Sequence, residues 1–112
     1  MTQAPIQLEN LDEEVKAFDR KRYSIFEALL HELVNASANA ESSEFSRIFR
    51  HTQDALGRTD LQMSLLFKVS RPTIGRWSRG VTMPHPMLRK AVFDSLLIQV
   101  KQALKSLRQP ET

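Results

Sequence analysis

The stretch from Thr59 to Gly80 carries two helix starts and two helix stops within 22 residues, and this punctuation leaves few folds open. Thr59 followed by Gln62 forms a capping box, in which each residue satisfies the other's backbone N–H. The first helix is predicted to run to about Phe67 and to end in a tight turn. Ser70 can cap the next helix, and Pro72 fits a first turn because its missing N–H has no partner there. Gly80 suits the left-handed residue that closes a helix. Helices this short are not stable alone. They must hold each other through a few apolar positions, here Met63, Phe67, Val69, Ile74 and Trp77. Ser64 supplies a small residue where the helices approach most closely. Val69 plugs the turn, and Ile74 and Trp77 anchor the second helix. Arg71, Pro72, Thr73, Gly75 and Arg76 are left facing outward.

The remainder also reads as helix. Phe45, Ile48, Phe49 and Leu56 share one face of a segment from about Ser43 to Leu56, with Gly57 as its stop. From Pro86, a stripe of Leu88, Val92, Leu96, Val100, Leu104 and Leu107 predicts one helix of roughly 33 Å at 1.5 Å per residue. That exceeds what a small core can cover, so part of the stripe is expected to meet another subunit. Toward the N-terminus, residues 1–9 read as an arm. Asn10 with Glu13 resembles a cap, and Leu11, Val15 and Phe18 recur at helical spacing. Ser24 with Glu27 forms a second capping box, with Tyr23 placed to staple against Ala28, which predicts a break near Arg22 to Ser24. Phe26, Leu29, Leu30, Leu33 and Val34 follow, and the small, polar stretch Asn35 to Ser43 reads as a linker. The expected division is an arm and acidic helical extension at 1–42, then a domain at 43–112 ending in the long helix.

Charge is distributed unevenly. Residues 1–57 carry 6 Lys and Arg against 10 Asp and Glu, a net of −4. Residues 58–90 carry Arg58, Lys68, Arg71, Arg76, Arg79, Arg89 and Lys90 against Asp60 alone, a net of +6. Such a concentration attracts polyanions, because bound phosphates release condensed counterions. With no Cys, disulfide frameworks, thiolate zinc sites and Cys nucleophiles are excluded. His31, His51 and His85 have no partner at metal-ligand spacing, and no Gly-rich phosphate loop is present, so no cofactor or metal is expected. Lys and acidic residues form no recognisable catalytic pair, so the chain does not read as an enzyme. No apolar run approaches the roughly 18 residues that span a bilayer, and Met1 to Asn10 shows no signal-peptide pattern. The expected location is cytoplasmic, on the nucleoid.

Residues 43–107 resemble the lambda-repressor/Cro-like, or XRE, family of helix-turn-helix proteins. The resemblance rests on the Thr59/Gln62 cap, Ser64, the Val69-Ser70 turn, Ile74, Trp77, Gly80 and Pro84. Its most specific part is the spacing Ile-x-x-Trp-x-x-Gly-x-x-x-Pro. It implies an all-α, lambda-repressor-like domain, here with additional N-terminal helices and a long C-terminal helix. In that family the second helix enters the major groove. Carried over position by position, this implies base contacts from Ser70, Arg71, Pro72, Gly75 and Arg76, and phosphate contacts from Thr59, Arg79 and Thr82. Thr73, and Arg89 and Lys90 at the start of the long helix, are further candidates for phosphate. The sequence departs from the pattern at three positions. Asp60 stands where the family often has a phosphate-binding Gln, Lys68 where the turn often has Gly, and Gly75 lies inside the second helix.

The expectation that follows is a transcription regulator, read as a repressor, binding a two-fold symmetric site on double-stranded DNA as a homodimer, with the dimer contact from the long C-terminal helix, the acidic N-terminal helices, or both. Two alternatives stand beside it. In one, the helix pair is mainly structural and the N-terminal helices bind a protein partner such as a toxin or a polymerase subunit. In the other, the chain is a nucleoid-associated protein with little sequence preference.

Overall fold

The computed structural model describes residues 8–36 and 40–107, which form five helices and no strand. These are α1 (Leu8–Val34), α2 (Ser42–Leu56), α3 (Asp60–Phe67), α4 (Arg71–Arg79) and α5 (Pro86–Leu107). The chain is all-α, and α2 to α5 fall where the apolar periodicity and the caps place them.

The stops act as their residue types dictate. Gly57 and Gly80 close α2 and α4 in the left-handed region, at φ 66° and 74°. After each, a backbone N–H reaches five residues back, from Arg58 to the Gln53 carbonyl and from Val81 to that of Arg76. This is the Schellman pattern, which satisfies the carbonyls a helix end leaves open. Lys68 closes α3 at φ 58°, and it is the one non-glycine residue at positive φ among those described.

One apolar core runs through the molecule. Phe45, Phe49, Phe67, Trp77 and Phe93 form its aromatic centre, with neighbouring ring centroids 5.5–6.2 Å apart. Trp77 stands nearly perpendicular to both Phe45 and Phe49 (87° and 85°). Such edge-on pairs contribute about 0.5–1.5 kcal/mol each beyond their area. The indole is 7% exposed, so it serves the core and not the surface.

Three features of the N-terminal half differ from the sequence reading. First, α1 is continuous through Arg22 to Ser24, and Ser24 is exposed on its surface. The apolar rhythm Phe18, Ile25, Leu29, Leu33 keeps phase across this point, although only Leu29 and Leu33 are buried in the core. Arg22 bridges the interval, its guanidinium 5.8 Å from the Phe18 ring and 5.6 Å from that of Phe26. Tyr23 packs against the core within the helix instead of stapling a new start. Second, α1 begins at Leu8, so Asn10 lies within it and not at its cap; the rest of the expected arm, residues 1–7, lies outside the described residues. Residues 37–39 of the expected linker lie outside them too.

Third, the stripe on α5 is covered by α1 and α2 of the same chain. Val92, Leu96, Val100 and Leu104 are buried, in one cluster with Phe26, Leu29 and Leu33 of α1. In the sequence alone nothing shows that α1 folds back on this stripe, because the contact joins residues about 60 to 75 positions apart. Burying a large apolar side chain contributes roughly 1.5–3 kcal/mol, so the C-terminal half of α1 is a substantial part of the core. Leu88 remains exposed, and Leu107 is half-buried.

Candidate nucleic-acid interface

The α3–α4 unit is built from its caps inward. The Thr59 Oγ1 accepts from Gln62 N (3.1 Å), and Thr59 N donates to Gln62 Oε1 (2.9 Å), which completes the predicted box. Ser70 Oγ accepts from Thr73 N at 3.2 Å and lies 2.8 Å from the Thr73 hydroxyl. Arg71 and Pro72 occupy the first turn of α4. At the joint, Ser64 is buried and its hydroxyl donates to the Leu61 carbonyl at 2.7 Å. Met63 and Ile74 are fully enclosed, and Val69 is half-buried against the core. The second helix is thereby held along one side by Ile74 and Trp77, and its opposite side is open.

On that open side Arg71, Pro72 and Arg76 are exposed, with Ser70 at the leading end. Thr73 and Gly75 are half-buried. Neither Arg71 nor Arg76 is held by a hydrogen bond or ion pair among the described residues. Arg71, Pro72, Gly75, Arg76 and Arg79 line an open depression of about 620 Å³, with Asp60 as its one acidic member. The place of Gly75 becomes legible here. A Cβ at that position would lie 3.0 Å from Arg79 Nη1, so the glycine gives the Arg79 guanidinium room to fold back along the helix.

Asp60 is engaged from within. The buried Gln53 donates its side-chain amide to Asp60 Oδ1 at 2.8 Å and to the Arg58 carbonyl at 3.1 Å, and so pins the end of α2 to the start of α3. The amide hydrogen turned onto the carboxylate reduces the repulsion it would exert on an approaching anion. Gln53 has no sequence signature, because an amide that is buried only after α2 and α3 meet looks like any polar residue near a helix end.

The positive charge of 58–90 is not all on this face. Arg89, expected at phosphate, is 8% exposed. Its Nε donates to the Pro84 carbonyl (2.8 Å) and its Nη1 to the Ala40 carbonyl (3.1 Å). The guanidinium turns inward because these two carbonyls, buried between loops, need donors. Arg89 is therefore a structural tie, and the expectation of a phosphate contact is corrected. Lys90 is exposed and lies 3.3 Å from Asp94 in an i,i+4 pair. Arg58 donates to Gln99 Oε1 at 3.0 Å, toward α5. The exposed basic groups of α4 and its leading turn are thus Arg71, Arg76, Arg79 and Lys68. Arg50 of α2, absent from the sequence candidates, joins them through a 3.4 Å bond to the Ser78 carbonyl near the end of α4.

Thr82 is exposed in the α4–α5 loop, and Thr59 is exposed at its cap. While Thr59 Oγ1 accepts a hydrogen bond, its own O–H remains able to donate. His85 Nδ1 accepts from Met87 N at 3.2 Å and so helps to start α5. Among the described residues no group of three His, Asp or Glu could hold a metal ion, and no helix is long and apolar enough to cross a membrane. No family model, curated protein or solved structure matches the chain.

Proposed function

We propose that this protein is a sequence-specific DNA-binding regulator of the lambda-repressor-like helix-turn-helix class, with α4 as the helix that enters the major groove. The observation that carries the reading is the pairing of Ile74 and Trp77, both buried, with Arg71 and Arg76, both exposed and unpartnered on the opposite side of the same short helix. A helix is about 10–12 Å across with its side chains, which fits a groove about 12 Å wide. Arginine is the residue suited to the task, because its fork donates two hydrogen bonds at once to the O6 and N7 of guanine.

In this reading Ser70, Arg71, Pro72, Gly75 and Arg76 face base edges. Thr59, Thr73, Arg79, Thr82 and Lys90 lie toward the phosphates, and Arg50 joins them. One helix reads only a few base pairs, so specificity calls for two copies on half-sites about 34 Å apart. A homodimer on a palindromic site that overlaps a promoter acts as a repressor by exclusion.

Selection of bound oligonucleotides from a random pool tests this, followed by titration of the selected site. The expected outcome is a palindromic consensus and an affinity that falls steeply with salt. Arg76→Ala should cost about 1–3 kcal/mol on that site and relax preference at one position in each half. Enrichment of no consensus, with equal affinity for random DNA, would instead favour a nucleoid protein of low specificity. Absence of salt-dependent binding would favour a protein-interaction module.

A further inference from the structure

From Leu11 to Ile25, α1 presents an apolar stripe to solvent. Leu11, Val15, Phe18 and Ile25 are 54%, 50%, 60% and 43% exposed. At 100° per residue these four, with Arg22, lie within about 80° of arc together with Leu29 and Leu33, which are buried. The face that docks onto the core therefore continues past the end of the core. The reason is length. Arg89 bonds the Ala40 carbonyl, so α5 starts beside the end of α1 and runs back along it. From Arg89 to Leu107 it covers roughly 27 Å, and the same distance back along α1 from its end at Val34 reaches only about residue 16. Leu11 and Val15 project beyond, on a molecule 59 Å long and 27 Å wide.

We propose that this projecting segment pairs antiparallel with the same segment of a second copy. Charge selects both the partner and the direction. Glu9, Asp12, Glu13 and Glu14 form an acidic block, and Lys16, Arg20, Lys21 and Arg22, with Asp19 alone among them, form a basic one. A parallel pair sets acid on acid and base on base, whereas an antiparallel pair sets each block on its complement. Placing Val15 opposite the partner's Phe18 puts Leu11 opposite the partner's Arg22. On one flank of the stripe, Glu14 then faces the partner's Lys21. Arg22 of each copy reaches the partner's Asp12. On the other flank Asp12 meets the partner's Asp19, and Lys16, 3.3 Å from Asp12 in its own helix, offsets that contact.

The apolar surface offered is on the order of a few hundred Å² per copy, since Phe18 is the one aromatic, at roughly 150–250 Å² when fully exposed, and the three aliphatic side chains are smaller. That is below the ~800 Å² per partner of a standard stable interface, so a concentration-dependent dimer is expected, with dissociation at micromolar protein. The pairing surface stands on α1 alone. Its consequence, two copies of α4 delivered to one duplex, rests on the function proposed above.

Sedimentation equilibrium of the full chain without DNA, from about 1 to 300 µM, tests the proposal. The expected result is a monomer–dimer equilibrium, abolished in this range by Phe18→Glu with the helical circular dichroism unchanged. Glu14→Lys and Lys21→Glu should each weaken the dimer about tenfold, because each change creates two symmetric like-charge contacts. The double variant Glu14→Lys/Lys21→Glu should restore it. Since the chain has no cysteine, mixing Leu11→Cys with Arg22→Cys should yield a mixed disulfide, and Leu11→Cys alone should give none. A chain that is monomeric throughout, or a dimer indifferent to Phe18→Glu, overturns the proposal. Strengthening by Glu14→Lys would mark a parallel pair and overturn the direction. A dimer that binds no DNA would leave this inference intact and sink the functional reading.

Discussion

Gly75→Ala separates what the α4 sequence does for folding from what it does for binding. Gly75 sits inside a helix at ordinary helical φ, where glycine is less favourable than alanine by about 0.5–1 kcal/mol. The new methyl would meet only the far end of Arg79, with Nη1 at 3.0 Å and Cζ at 3.9 Å. Arg79 is exposed, so its guanidinium can swing away at a cost of a few tenths of a kcal/mol, similar to an exposed side-chain contact. The net expectation is a gain of about 0.5 kcal/mol, or roughly 2–3 °C in Tm for a chain of this size. Thermal unfolding followed by circular dichroism measures it. In the proposed complex the same methyl displaces Arg79 from the depression and stands between α4 and the base edges. Affinity for the selected DNA site should then fall about tenfold, as one well-placed contact is worth ~1–3 kcal/mol. A lower Tm would refute the packing argument, because it would mean that the methyl meets something that cannot move. A higher Tm with unchanged DNA affinity would remove Gly75 and Arg79 from the interface.

Three further outcomes follow from single contacts. Trp77→Ala should destabilise by about 3–5 kcal/mol in urea titrations, because it empties the space between Phe45, Phe49 and Phe67, and DNA binding should disappear with the fold. Arg89→Ala should cost about 2–4 kcal/mol, since it strands the Pro84 and Ala40 carbonyls, whereas Lys90→Ala next to it should stay within about 0.5 kcal/mol. Equal effects of these two would contradict the inward placement of Arg89. Gln53→Ala should cost about 1–3 kcal/mol and leave the Asp60 carboxylate unmasked, so DNA affinity should fall by more than the small population of unfolded chain explains.

The parts of the fold legible in the sequence are those whose physics is local. Thr59, Ser70, Gly57 and Gly80 act on backbone groups within five residues of themselves, so their types alone mark where α3 and α4 start and where α2 and α4 stop. The outward set on α4 was legible for a similar reason, because helical phase relative to Ile74 and Trp77 decides it. What escaped depends on partners far along the chain. Arg89 looks like a surface charge until the segment before α2 presents the Ala40 carbonyl, 49 residues away. Ser24 with Glu27 is a sound local cap signal, yet α1 runs through it with Ser24 exposed, and Arg22 lies against the rings of both Phe18 and Phe26 across that point.

That continuity also relocates the means of self-association. Had α1 broken near residue 23, its first half could have folded down over Leu88 and Ile98, which are exposed on α5. Kept straight, α1 closes the α5 stripe within one molecule and carries its own unsatisfied stripe out beyond the core. The apolar surface that a long amphipathic helix leaves over is then on a projecting rod and not on the body beside α4. An interface on a rod leaves Arg71, Arg76 and Arg79 unobstructed, whereas one on the body of the domain would compete with a duplex for space. Affinity through two weakly paired copies then depends on protein concentration, so a variant that loses pairing, Phe18→Glu, should bind a single half-site as well as the parent chain does and lose only the advantage of the full palindrome. Loss of half-site affinity in that variant would show that α1 touches DNA itself, and would place the pairing surface and the reading surface on the same side of the molecule.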